Sequence, residues 1–392
     1  MNRNIVYHFL YSLTYNYGGP AYSVPLQCKG VAKHEYKVSV ITYKGKPGET
    51  EVKVDDSVYV EKVDRESSII NRLKAYNIRK KLNNISLPDL IHLHGVWMPL
   101  DYAGYWWAMR NHIPYVINPR GDLEKQRMHN GMWKMIKKRM ALHLYSKKIA
   151  NNSSCMIATS KQEAEALRYY GITSPIAIIP NGIDITGFPN KVEKKIHSKK
   201  TVLFLSRINP IKGIEYLVEA WSLLPKELTE EWELHIVGNS DPLDYVETIK
   251  KKVAKKDLQD NVKILGALTC GDKIDKYLSS DLFILPTLNE NFGNVVAEAL
   301  MCELPVITTK NAPWSGLLEY KCGWWVDLSV ENLLKTLEEA MSLDENTLRQ
   351  MGQRGRKFII DNYSLDKVAL KTTAVYNWVL NKAPKPDYVE IK

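Results

Sequence analysis

Glu290 and Glu298 stand eight positions apart in LPTLNENFGNVVAEAL, with Asn291, Phe292 and Gly293 after the first and a stretch of helical composition running into the second. The short apolar run Leu282 to Pro286 predicts a buried strand, and Asn294 to Met301 a helix, so the two carboxylates bracket a strand-loop-helix turn. A helix entrance offers unpaired backbone amides and a partial positive charge, which lets Gly293, Asn294 and Val295 receive a phosphate. Gly293 would let the backbone come close. Glu290, in the loop, suits sugar hydroxyls better than a phosphate, and Glu298, two turns into the helix, suits a ribose. Taken alone, two glutamates at this spacing read as ordinary solvated charge of a helix and its loop; the motifs around them turn the reading.

Other candidates follow predicted strands. In TVLFLSRINPIKGIEYLVEAW, Arg207 and Lys212 lie five residues apart across a proline-containing turn. A guanidinium can fork two phosphate oxygens while an ammonium adds a point charge, so the pair suits a diphosphate; standing alone it reads as a solvated basic loop. Near the N-terminus, Tyr17-Gly18-Gly19-Pro20 separates the first strand from a helix expected to begin near Ala21, without forming the G-x-G-x-x-G of dinucleotide folds. His92 and His94 end a strand in LIHLHGVW, and Arg120 ends the next in YVINPRGD. Strand ends favour polar function, although either histidine also reads as a satisfied residue near the core.

The elements that must position these groups alternate along the chain. Strands are predicted at Ile5–Leu10, Val38–Tyr43, Leu90–His94, Tyr115–Asn118, Met156–Thr159 and Ile176–Pro180, with helical segments such as Ile70–Leu82 and Lys161–Tyr170 between them. The pattern restarts with Thr201–Ser206, Glu233–Val237, Val262–Leu265, Leu282–Leu285, Pro305–Thr308 and Gly323–Val326. The segment PNGIDITGFPNKVEKKIHSKK reads as a linker. A chain of 392 residues exceeds what one core usually serves. The expectation is α/β: two doubly wound, Rossmann-like domains at 1–185 and 186–362 facing a cleft at their strand ends, with a helical tail at 363–392 opened by Ser364 as cap.

Composition excludes several classes. Apolar residues make up 45% and charged residues 25%, as in soluble globular proteins, and no run of eighteen apolar residues or small-residue cleavage site is present. Five cysteines, odd in number and without metal-like spacing, predict reduced thiols in a cytosolic protein. The net charge of +10 is uneven: up to Pro180 there are 26 Lys and Arg against 14 Asp and Glu, and after it 28 against 30. The excess peaks at 125–148, KQRMHNGMWKMIKKRMALHLYSKK, where basic and apolar residues alternate at helical spacing. That pattern fits an anionic membrane surface or a solvated helix face over a packed stripe. Nucleic acid is not expected, since no recognised binding motif accompanies the charge.

FLSRINPIKG, ILGALT and LPTLNENFGNVVAEALMCELPVI occur in the order seen in one family, with IIPNGID ahead of the linker and the glycine turn after strand one. The chain resembles the family-four retaining glycosyltransferases of the GT-B fold over nearly its whole length. The resemblance implies a nucleotide-diphospho-sugar donor held mainly by the second domain. Arg207, Lys212 and the amides at Gly293, Asn294 and Val295 would meet the diphosphate, backbone near Leu268 the base, Glu298 the ribose and Glu290 the sugar. Gly19 would close on the diphosphate from the first domain, and the terminal helix would cross back to that domain. Retention would proceed without a protein nucleophile, the leaving phosphate taking the acceptor's proton, and no divalent metal or other cofactor is implied.

Two departures from the family pattern matter. Where many relatives carry a sugar-contacting histidine, this chain has Arg120, so that role falls to His94 or Arg120. The loop after Val237 reads Gly-Asn-Ser where relatives often have a second glycine. The PRG segment and the turn Ala312-Pro313-Trp314 resemble bacterial surface-polysaccharide enzymes, implying a lipid-linked oligosaccharide acceptor and work at the inner face of the cytoplasmic membrane. A non-catalytic nucleotide-sugar-binding partner and a nucleotide-sugar epimerase of the same architecture are the alternatives.

Overall fold

The computed structural model describes residues 3–65, 75–123, 140, 142–193, 198–268 and 270–391. The basic segment 125–148 lies largely outside them, as do the first residues of the helix expected from Ile70. The chain divides into two compact units, Met1–Asp184 with Tyr363–Lys392, and Ile185–Asn362.

In the first unit β1 (Asn4–Phe9), β2 (Tyr36–Tyr43), β3 (Val58–Val63), β4 (Leu90–Leu93), β5 (Tyr115–Ile117), β6 (Cys155–Ala158) and β7 (Ile176–Ile178) run parallel, and β14 (Val389–Glu390) adds antiparallel to β7. The order β14-β7-β6-β5-β4-β1-β2-β3 reverses its winding between β1 and β4. Successive strand residues face opposite ways. Tyr7, Phe9, Ile91 and Leu93 enter one apolar cluster, with Trp107 of α2 (Pro99–Arg110), and Val6, Val38, Leu90 and Val116 enter another, with Val24 and Val31 of α1 (Gly19–Ala32). The helix α3 (Lys161–Tyr169) follows β6, capped by Ser160, whose Oγ accepts from the Glu163 amide at 3.2 Å.

The second unit holds β8 (Lys200–Leu205), β9 (Trp232–Val237), β10 (Val262–Leu265), β11 (Leu282–Leu285), β12 (Val306–Thr309) and β13 (Gly323–Val326), in the order β10-β9-β8-β11-β12-β13. Its winding reverses between β8 and β11. The helices needed below are α4 (Ile214–Trp221), α5 (Cys270–Leu278) and α6 (Asn294–Met301); α7 (Glu345–Tyr363) leads out of the unit.

The helix α8 (Leu365–Val379) belongs to the first unit, where Val368, Val375 and Tyr376 join the cluster on the α1 face. Ser364 occupies its N-cap position, yet the side chain makes no capping bond. A backbone clasp replaces it: the Ile183 amide donates to Tyr363 O and the Leu365 amide to Ile183 O, each at 2.8 Å. β3 and β14 had no expected counterpart, because VYVEKV mixes charge into its alternation and β14 is only two residues long. α1 starts at Gly19 rather than near Ala21, with Pro20 in its first turn, where a missing N–H is harmless. Among the described residues no helix is long and apolar enough to cross a membrane.

Candidate functional site

In open α/β sheets, ligands favour the carboxyl ends of strands where the winding reverses. In the second unit that position lies between the loops after β8 and β11, and these loops are tied together. Leu288 donates its amide to Ile211 O at 2.8 Å, and Thr287 Oγ1 donates to the same oxygen at 3.1 Å. Between the short turn Pro210–Lys212 and α4, Gly213 takes φ +70°, and a Cβ there would stand 1.9 Å from Pro286 O. Only glycine permits that approach. The consequence is an ion pair between Lys212 Nζ and Glu290 Oε2, with side chains only 9% and 19% exposed. The Glu290 amide is fixed by Asn311 O at 3.0 Å.

Gly293, at φ +83°, is the N-cap of α6 and ends the loop that carries Glu290. The first-turn amides of α6 at Asn294 and Val295 therefore open beside the Lys212–Glu290 pair, an arrangement that accepts an anion. Trp314 Nε1 donates to Phe292 O at 2.5 Å and pins the loop from behind. One turn into α6, Glu298 Oε2 accepts from Tyr277 Oη at 2.9 Å and pairs with Lys273, both on α5. Arg207 Nη1 lies 3.0 Å from Asp241 Oδ2, each side chain 56% exposed, so that pair is open to exchange with a ligand. Leu268 is exposed in the segment after β10.

The first unit gathers buried polar groups at its own reversal point. His8 of β1 and His92 of β4 are register partners, and alternation places both, with His94, on the α1 and α8 face. His8 Nδ1 is 2.9 Å from His94 Nε2, and His92 Nδ1 is 2.5 Å from Tyr376 Oη. The three histidines bring ring nitrogens within 4.8 Å of one another, a donor set of the kind that metal ions use. Burial, with Arg120 adding to it, depresses the His8 imidazole to about 3. His92 and His94 are likewise held well below the ordinary range, first by burial.

Arg120 sits in the loop after β5 at φ +54° and is buried. Its Nη1 donates to Ser23 Oγ at 3.0 Å and Asn181 Oδ1 at 2.7 Å, and its Nη2 to Gln27 Oε1 at 2.7 Å and His94 Nδ1 at 3.3 Å. These four partners are neutral. The main opposing charge is Glu163, whose carboxylate accepts from the Gly121 amide at 2.5 Å and the Thr159 amide at 2.6 Å. Burial lowers the guanidinium to about 10, which still leaves it charged at neutral pH. Four neutral acceptors and the opposing Glu163 charge offset the cost of burying this cation.

The structure thus joins Lys212 to Glu290 and Arg120 to His94, pairs that the sequence presents as separate candidates. Glu298, Asn294 and Val295 share α6. Gly19 opens α1, and a Cβ there would meet nothing within 4 Å. His8 and Tyr376 escaped sequence reading; the shared alternation of Val6-His8 and Leu90-His92-His94 carried the signal for the first, and nothing local marked the second.

Comparison with known proteins bears on both units. The family profile described as Glycosyltransferase Family 4 matches residues 17–186, and that of Glycosyl transferases group 1 matches 189–358. The chain is 25% identical over 311 residues, 75% of its length and 71% of the relative's, to a probable sucrose-phosphate synthase of Thermosipho melanesiensis. It is also 25% identical over 216 residues, 52% of its length and 54% of the relative's, to the capsular polysaccharide biosynthesis glycosyltransferase CapM of Staphylococcus aureus. Among solved structures, the sucrose-phosphate synthase of Thermosynechococcus elongatus superposes with a TM-score of 0.77 at 20% identity, covering 97% of this chain and 100% of the other. HepE of Anabaena, in complex with UDP and glucose, gives 0.71 at 18%, covering 96% and 100%.

Proposed function

We propose, from the premise that the chain belongs to the family-four glycosyltransferases of GT-B fold, that it moves a sugar from a nucleotide-diphospho-sugar to a saccharide acceptor with retention of configuration. The observation that carries this reading is the Lys212–Glu290 pair at the entrance of α6. An incoming diphosphate takes the ammonium and the α6 amides, and the Glu290 carboxylate turns to accept hydrogen bonds from the sugar. Arg207 adds a second cation, Glu298 holds the ribose, and backbone near Leu268 meets the base. In the first unit, Gly19 approaches the diphosphate, while His94 and Arg120 serve the reacting sugar and the leaving charge.

In the reaction, the bond from the anomeric carbon to the diphosphate oxygen breaks as the acceptor oxygen bonds to the same face of that carbon. The acceptor's proton passes to the leaving phosphate. Fixed cations and amides stabilise the charge that develops there, so no divalent metal is needed. The likeness to CapM supports a bacterial polysaccharide product, whether capsule, O-antigen or exopolysaccharide. With the basic surplus of the first 180 residues, it also supports a lipid-linked acceptor met at the inner face of the cytoplasmic membrane.

A thermal-shift panel of nucleoside diphosphates identifies the donor class, since a ligand at a hundred times its dissociation constant adds about 2.7 kcal/mol. Transfer is then assayed with EDTA present, using lipid-linked saccharides, and the product's anomeric configuration is read by NMR. Inversion, or strict dependence on a divalent metal, would overturn the mechanism. Product formed from donor alone would mark an epimerase, and binding without turnover a non-catalytic partner. A second reading, a soluble sugar-phosphate acceptor, is favoured by the match to a probable sucrose-phosphate synthase. Transfer to a soluble sugar phosphate, with none to lipid-linked saccharide, would establish it.

A further inference from the structure

We propose that Tyr376 of α8 is a positioning residue for Arg120, acting through a one-directional hydrogen-bond chain of two neutral imidazoles, His8 and His94, with a third, His92, beyond the hydroxyl. The idea rests on the role just given to Arg120. Arginine donates and never accepts, so His94 Nδ1 must accept from Arg120 Nη2 at 3.3 Å. A neutral His94 then carries its proton on Nε2 and donates to His8 Nδ1 at 2.9 Å. His8 in turn is protonated on Nε2, which donates to Tyr376 Oη at 3.4 Å. The Tyr376 hydroxyl passes its own proton toward His92 Nδ1 at 2.5 Å, leaving the His92 proton on Nε2, an atom without a hydrogen-bond partner. Each tautomer is dictated by the one before it.

Reversal is blocked at one end. If His8 carried its proton on Nδ1, His94 Nε2 would have to accept, and the proton on His94 Nδ1 would face a guanidinium that can only donate. Arg120 thus sets the direction, and the Tyr376 hydroxyl completes it at the far end by accepting from His8 Nε2 and donating to His92 Nδ1. Charged imidazoles would meet the same obstacle, and burial already keeps the rings neutral. The other titratable groups facing the cluster are Cys28 of α1, Tyr36 of β2 and, through Arg120, Glu163 of α3 and Tyr17. A divalent cation ligated by the three rings would have to break the imidazole chain beside that guanidinium. The geometry therefore favours a proton-ordered chain over a metal centre.

Tyr36 provides the control. Its hydroxyl also reaches α8, donating to Asn377 Oδ1 at 2.7 Å, but it makes no bond to the chain. If Tyr376 merely anchored α8, Tyr36→Phe and Tyr376→Phe would be equivalent. In the full-length protein, Tyr376→Phe is expected to lower kcat for sugar transfer about tenfold with KM for the donor within about twofold, whereas Tyr36→Phe leaves both unchanged. Long-range proton-nitrogen NMR on histidine-labelled protein, assigned with single His→Gln variants, should show all three rings neutral and protonated on Nε2 from pH 6 to 8. In Tyr376→Phe the His8 Nε2 proton loses its acceptor and His92 loses the donor that fixes its tautomer, so the His8 and His92 nitrogen signals should change.

Equal kinetic losses in the two variants, or none in Tyr376→Phe, would overturn the proposal. So would an Nδ1-protonated or charged ring at pH 6, or stoichiometric zinc binding that shifts all three rings. The nitrogen signals need no turnover. A wild-type chain that moves no sugar therefore defeats the glycosyltransferase reading, and with it the catalytic role of the chain, while the NMR still decides the proton order.

Discussion

Lys212 and Glu290, 78 residues apart in sequence, neutralise each other where the winding of the second sheet reverses. The ammonium is thereby held beside the α6 entrance, and removal of either partner breaks a partly buried ion pair. Glu290→Gln and Lys212→Met should each lower kcat/KM by about a hundredfold, of the order seen when one stabilising group is lost from a reacting centre. The double variant should lose much less than the product of the two, and a double-mutant cycle on initial rates measures this. Full additivity would show that the pair does not act as a unit.

Glu298 should separate binding from chemistry. Its carboxylate is held by Tyr277 and Lys273 a turn inside α6, away from the loop that carries Glu290. Glu298→Gln is expected to raise the donor KM about tenfold and leave kcat within about threefold, as removal of uniform binding does. A kcat loss as deep as that of Glu290→Gln would contradict this division.

Gly213→Ala tests the clasp between the loops after β8 and β11. The added methyl would meet Pro286 O at a distance no contact tolerates, so the loops must part. A loss of about 2–4 kcal/mol is expected from the steric conflict and the left-handed backbone. Both the unfolding midpoint and nucleotide affinity should fall, and a variant with normal affinity would show that the clasp does not set the Lys212 position.

Stability should peak near neutral pH. Folded His8, His92 and His94 resist protonation, so as pH falls below the ordinary imidazole value near 6.5 the unfolded chain binds protons that the folded chain refuses, and stability drops. Buried Asp101 of α2, raised to about 8, works the other way, and burial pushes Glu163 up as well. Their stabilising contribution is complete below the ordinary carboxyl range and is lost as pH rises, through about 8 for Asp101. Three imidazoles against two carboxyls leave a net rise up to pH 6.5 and a fall above it, each net proton worth about 1.4 kcal/mol per pH unit. Unfolding midpoints at pH 5, 6.5 and 8 check the sign, and Asp101→Asn should flatten the alkaline side.

The strands that bear the site are legible in the sequence because buried parallel strands are short apolar runs bounded by turns, as Leu282 to Leu285 shows. Lys212, Glu290 and Glu298 were singled out by residue type and spacing. That Lys212 meets Glu290 is not legible there, because pairing depends on which strands adjoin: β8 and β11 are neighbours although two strands intervene in sequence. His8 was passed over for the same reason, since its meaning comes from β4 beside it. Tyr376 lay within a recognised helix, but no local pattern tells which of its residues meets an imidazole from the other end of the chain.

The return of α8 and β14 to the first unit has a consequence for synthesis. A ribosome releases β1 to β7 long before Val368, Val375, Tyr376 and Val389 exist to cover their part of the α1 face. Domains tend to fold as they emerge, so the second unit can close while the first still presents an uncovered apolar surface. Nascent chains stalled after Asn362 should therefore engage chaperones through the first unit, and the imidazole chain ending at Arg120 acquires its last link only once Tyr376, beyond the whole second unit, has been made.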